Sequence, residues 1–101
     1  MNKEWTRIFS TTDLTGYGTI PNFTNYKEII IIICANGFYQ THHVSISWLP
    51  NSLIPFVGSW YYSGTGSNAM ATIGLDKNGN YSIGQGISQN TNGSSISIWA
   101  R

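Results

Sequence analysis

Charge is scarce in this chain. Five basic and four acidic residues make up 9% of its 101 positions, against about 25% in an average soluble domain. Lys3, Arg7, Lys27, Lys77 and Arg101 are scattered, so no basic patch offers itself to duplex nucleic acid. The four acids, Glu4, Asp13, Glu28 and Asp76, form no pair of the kind a glycosidase sets across one cleft. Asp76 reads as a turn residue and Glu28 as the entry to a strand. Cys34 is the single cysteine, which excludes an internal disulfide; inside an apolar run it reads as a small core hydrophobe. The longest apolar run, Ile29 to Ala35, is far short of the roughly 20 residues that span a bilayer. No secretory leader pattern precedes it. The expectation is synthesis and folding in a reducing cytoplasm, with no insertion into a membrane.

What is abundant points the other way from helix. Aromatic residues reach 14%, and glycine, serine, threonine and asparagine are frequent, while the Lys/Glu-rich stretches that solvate helices are missing. At 101 residues the chain reads as one domain, 1–101, large enough for a single core without metal or disulfide.

Short strand signals recur with turn residues between them. They fall at 4–9, around Leu14, at 25–35, 41–49, 53–62, 69–76, 80–84 and 95–101. In 4–9, Trp5, Arg7 and Phe9 alternate with Glu4, Thr6 and Ile8; in 41–49, His42, Val44, Ile46 and Trp48 share a face. Asn36-Gly37 and the stretch 76–79 read as hairpin turns, the second with Gly79 at positive φ. Pro55 suits an edge strand or a bulge. Ala69, Ala71, Ile73 and Leu75 share one strand face, and 85–95 reads as a long polar connection. Seven or eight strands at this spacing predict an antiparallel β-sandwich.

Five consecutive isoleucines, Ile29 to Ile33, pose the main question. β-Branched residues crowd a helix and fit a pleated strand. A strand alternates its faces, so this one has two apolar faces, and a sandwich buries only one. Either a connection such as 11–24 or 85–94 folds over the outer stripe, or identical chains cover it around a symmetry axis. The expectation taken here is a subunit interface formed by Ile29, Ile31 and Ile33, with Ile30 and Ile32 as the other possible phase.

Candidate chemistry is sparse. His42 and His43 are adjacent and point to opposite faces of a strand, so one chain cannot bring both to one metal. No metal, cofactor or catalytic residue is expected. The aromatic residues are the informative set. Trp5, Trp48 and Trp99 read as core. Tyr39, Trp60 and Tyr61, with His42 and Asn68 nearby in sequence, form the candidate ligand site: aromatic faces stack on sugar C–H surfaces, and polar side chains reach sugar hydroxyls.

The order of these features resembles a known family. An early Trp5, a polar irregular stretch, "NYKEIIIII", a middle "PFVGSWYY", a Gly/Ser loop, a turn-rich hairpin and a terminal "SISIWAR" follow one another. The pattern resembles the C-terminal receptor-binding head domains of bacteriophage and prophage tail fibres. The resemblance covers nearly the whole chain and rests on hydrophobic pattern and a few residues. It implies a β-sandwich assembled as a homotrimer, located in the virion at a fibre tip, with bacterial surface glycans as the ligand class. Binding residues differ between members, so none is carried over. The expected function is non-catalytic, lectin-like host recognition. The alternatives are a structural trimerisation or capping domain without ligand, and a small polysaccharide-acting enzyme.

Overall fold

A computed structural model describes residues 4–12, 15–35, 38–62, 67–85 and 95–101; the side chains of 59–62, 67–70 and 85 lie outside that set. Eight strands form: β1 (Thr6–Thr11), β2 (Gly16–Thr19), β3 (Glu28–Ala35), β4 (Phe38–Ser45), β5 (Ile54–Tyr62), β6 (Ser67–Leu75), β7 (Asn80–Gln85) and β8 (Ser95–Ala100). They pair antiparallel in two four-stranded sheets, β1-β8-β3-β4 and β2-β7-β6-β5. The described helical residues are two short 3-10 turns, Phe23–Asn25 and Ile46–Trp48. Among the described residues no helix is long and apolar enough to cross a membrane.

The sheets pack face to face over one apolar cluster. Ile29, Ile31, Ile33, Ile96, Ile98 and Ala100 enter it from the first sheet, and Ala71, Ile73, Leu75 and Ile83 from the second. Ile20, Phe23, Ile46 and Leu49 close it at one end. Packing is tight across the gap: a Cβ on Gly58 of β5 would lie 2.4 Å from Cγ2 of Ile33.

The isoleucine stripe is therefore in the opposite phase to the one expected. Ile29, Ile31 and Ile33 are 0% exposed inside the single chain and are unavailable to a partner. The outer residues are Ile30 and Ile32, and both are already half-buried. Their register neighbours flank them, Trp99 and His43 beside Ile30, Ser97 and Thr41 beside Ile32. In a sheet, side chains on directly opposed residues lie within contact range, so these neighbours shield the stripe laterally; most of the 85–94 connection lies outside the described residues.

Other boundaries shifted for identifiable reasons. The short strand expected near Leu14 forms at Gly16–Thr19; Leu14 itself is outside the described residues. The register slips between Arg7 and Phe9. The extra residue, Ile8, breaks the simple alternation, as a bulge does. Trp5 and Arg7 stay on the outer side, while Phe9 turns inward and packs on Tyr81, ring centroids 4.7 Å apart. β4 begins earlier than expected, at Phe38, and ends at Ser45; the next three residues tighten into a 3-10 turn. Ile46 stays buried, but Trp48 is thrown out to 75% exposure. Trp5 and Trp99 are half-buried on the outer face of the first sheet, so none of the three tryptophans read as core belongs to it. Cys34 is buried but is not part of the central cluster.

Pro55 lies on β5, an edge strand, as its missing N–H requires. Asp76 is the turn residue expected of it: its carboxylate accepts bonds from the N–H of Asn78 (2.8 Å), the N–H of Asn80 (3.0 Å) and Asn80 Nδ2 (2.8 Å). Gly79 has φ +87°, and a Cβ there would meet Phe23 at 2.5 Å. The turn is bonded to both neighbouring connections, through Ile20 N–H to Gly79 O and Lys77 N–H to Pro50 O, each 2.9 Å. The Asn36-Gly37 turn and most of the 85–95 connection lie outside the described residues.

Candidate ligand-binding face

Of the five residues expected to bind ligand, the structure describes the side chains of Tyr39 and His42, and it places these two on opposite faces of the first sheet. Tyr39 lies on the outer face of the first sheet, opposite Cys34, and is 71% exposed. His42 points the other way. It is half-buried against β5, with Nε2 2.9 Å from the carbonyl oxygen of Val57 and its ring 5.6 Å from that of Phe56. That bond makes His42 a strut between the sheets and takes it away from the surface that holds Tyr39. His43, exposed on the outer face, confirms that the two histidines diverge. On the second sheet, Trp60 pairs with Ala69 and Tyr61 with Asn68 in the register; the side chains of Trp60, Tyr61 and Asn68 lie outside the described residues. Among the described residues no group of three potential ligands could hold a metal ion.

The residues that do converge are others, on the outer face of the first sheet. Strand register sorts them into cross-strand rows. The first row runs Trp5, Arg101, Glu28, Ser45. Next comes Arg7, Trp99, Ile30, His43, then Ser10, Ser97, Ile32, Thr41. Ser95, Cys34 and Tyr39 follow. Strands lie about 4.8 Å apart, and same-face residues along a strand about 6.7 Å apart. The face thus grades from charged and aromatic at one end to hydroxyl-bearing in the middle.

The first two rows are interlocked. Arg101 Nε donates to Glu28 Oε1, and the guanidinium lies 4.4 Å from the centroid of the Trp5 ring. Trp5 meets the His43 ring edge-on at 5.8 Å, and His43 Nε2 is 3.7 Å from Glu28 Oε2. Arg7 lies over Trp99, 5.9 Å from its centroid. The hydrogen bond from Arg101 holds the Glu28 carboxyl below its ordinary range; partial desolvation opposes this, and the charges of Arg101 and His43 reinforce it. Beside the first row, an open depression of about 370 Å³ is lined by Tyr26, Lys27, Ser45, Ile46 and Ser47.

A signal for this face was present in "SISIWAR". Ile96, Ile98 and Ala100 alternate with Ser95, Ser97, Trp99 and Arg101, so burying the isoleucines must turn Trp99 and Arg101 outward. By residue type Trp99 reads as core, but its place in this alternation is on the outer face. The grouping of Trp5 with Arg101 and His43 depends on strand order, which no local pattern specifies.

No family model, curated protein or solved structure matches this chain.

Proposed function

We propose that this domain is a non-catalytic, lectin-like receptor-binding head that recognises bacterial surface glycans, working as a homotrimer at the tip of a phage tail fibre. The observation that carries the binding reading is the pair of tryptophans, Trp5 and Trp99, on the solvent face of a sheet. Trp99 stands next to a row with three hydroxyls, Ser10, Ser97 and Thr41, and Trp5 lies one row beyond Trp99. Aromatic rings supply a flat surface for sugar C–H groups, and hydroxyls supply adaptable hydrogen bonds. Two of the described acids are engaged within the fold, Glu28 with Arg101 and Asp76 with its own turn, in keeping with a binding role. The trimer and the fibre location rest on the sequence resemblance alone, since the inner isoleucines belong to the core.

The test is a glycan array and a host-cell binding assay with the whole chain and with Trp99→Ala. Binding that falls at least tenfold in the variant, with unchanged circular dichroism, supports the reading. A blank array and no cell binding by the whole chain reject it.

A second reading, a structural fibre subunit without ligand, is favoured by Ile30 and Ile32 on the same face. Light scattering separates the two when combined with Ile32→Lys. A trimer that the substitution dissociates makes this face a subunit contact. A monomer at tens of micromolar rejects the homotrimer.

A further inference from the structure

We propose that the outer face of the first sheet selects anionic saccharides, with Arg7 reading the acid group and Trp99 lying under the sugar ring; this rests on the glycan-binding reading above. Two guanidiniums stand on that face, and they differ in what they already hold. Arg101 is bonded to Glu28 and lies against the Trp5 ring, so its charge is paired and one of its planar faces is occupied. Arg7 is exposed. Its guanidinium lies 5.9 Å from the Trp99 ring centroid, and among the described residues no carboxylate forms an ion pair with it. Glu4 and Lys27, both exposed and just before β1 and β3, carry opposite charges. Arg101 and Glu28 offset one another, which leaves Arg7, beside the Trp99 indole, as the other guanidinium of the face.

That combination has a specific chemistry. Arginine presents a planar fork of donors that matches a carboxylate or a phosphate ester with two parallel bonds. The neighbouring ring takes the apolar face of a pyranose. Arg7 and Trp99 are register partners on adjacent strands, so one acidic sugar residue reaches both. The hydroxyl row of Ser10, Ser97 and Thr41, about 6.7 Å further along the strands, then meets the next residue of the chain. The acid is a uronate-type carboxylate or a phosphate substituent; both suit the fork.

The experiment titrates the whole chain with trigalacturonic acid, the neutral galactose trisaccharide and glucose 6-phosphate, by NMR shift perturbation at low and high salt. One of the anionic probes is expected to bind about tenfold more tightly than the neutral one, the scale of a charge-assisted hydrogen bond. The preference should fade as salt screens an exposed charge. Arg7→Gln should remove the preference and leave neutral binding in place; Trp99→Ala should weaken every probe. Trigalacturonate against glucose 6-phosphate tells a carboxylate from a phosphate. Equal affinity for anionic and neutral probes, a preference that survives Arg7→Gln, or array hits that are all neutral overturns this inference and leaves the glycan reading standing. A blank array together with no binding of any probe removes both.

Discussion

Ile31 and Ile32 are adjacent and chemically identical, yet they live in different environments. Ile31 is 0% exposed between two sheets, opposed by His42 and Ile98. Ile32 is half-buried on the solvent side, between Thr41 and Ser97. Nothing in the pentad itself distinguishes them. The phase is imposed by partners: Ile96 and Ile98 on β8 and Ala71, Ile73 and Leu75 on β6 supply the apolar layer that only one face of β3 can meet. A one-residue slip would present the other face, and on β3 both faces are isoleucine. The neighbouring strands, with serines and a tryptophan on the outer phase of β8, make the choice that β3 alone leaves open.

The largest expected difference follows from that contrast. Ile31→Ala removes buried methylenes from a packed site and should cost about 2–5 kcal/mol. Ile32→Ala loses far less apolar burial and should cost under about 1 kcal/mol. Urea unfolding followed by tryptophan fluorescence reads both. Equal costs would mean that the outer face is as closely covered as the inner one, by a partner chain or by a connection such as 85–94. Ile31→Lys should prevent folding, while Ile32→Lys should leave a folded chain.

A second probe tests how rigid the inner layer is. Gly58 faces Ile33 so closely that an added Cβ would sit 2.4 Å from Cγ2. Gly58→Ala forces β5 and β3 apart or drives Ile33 off its rotamer, at about 1–3 kcal/mol. The double change Gly58→Ala with Ile33→Ala, which removes the clashing Cγ2, should cost less than the sum of the two single changes. Strict additivity of the two single effects in urea unfolding would contradict direct contact between the sites.

The sandwich was legible in the sequence because alternation and turn residues are local. Most strands, the Asp76 turn and the edge position of Pro55 follow from neighbours within a few residues. The outer-face cluster was not legible, because Trp5, Glu28, His43 and Arg101 come from both ends and the middle of the chain, and meet only through strand order. The ligand residues chosen from sequence were chosen as exposed aromatics near strand ends. Tyr39 is exposed, as that logic requires. His42 is turned inward, since the parity of His42 and His43 is legible, but not which of them faces the second sheet.

The smallest effects compare a buried with an exposed carboxylate. Asp76 is buried, and burial pushes its carboxyl up, but the bonds from the Asn80 amide and the N–H groups of Asn78, Asn80 and Gly79 outweigh this and hold it below its ordinary value. Glu28 is lowered mainly by its bond to Arg101. In both cases the unfolded chain binds protons more readily than the folded one, so each contribution is complete above the ordinary carboxylate range and is lost as pH falls through the folded value. Asp76→Ala leaves backbone donors in the turn unpaired and should cost about 1–3 kcal/mol at pH 7. Glu28→Gln removes only a solvent-screened pair and should cost less than Asp76→Ala. Urea midpoints measured at pH 7 and pH 3 should fall on acidification for the unmodified chain, and that fall should shrink more in Asp76→Ala than in Glu28→Gln. If Glu28→Gln proves the costlier change, the interlock of Trp5, Arg101 and His43 is a structural clamp on the chain ends. The outer face would then owe its tryptophans to stability rather than to a ligand.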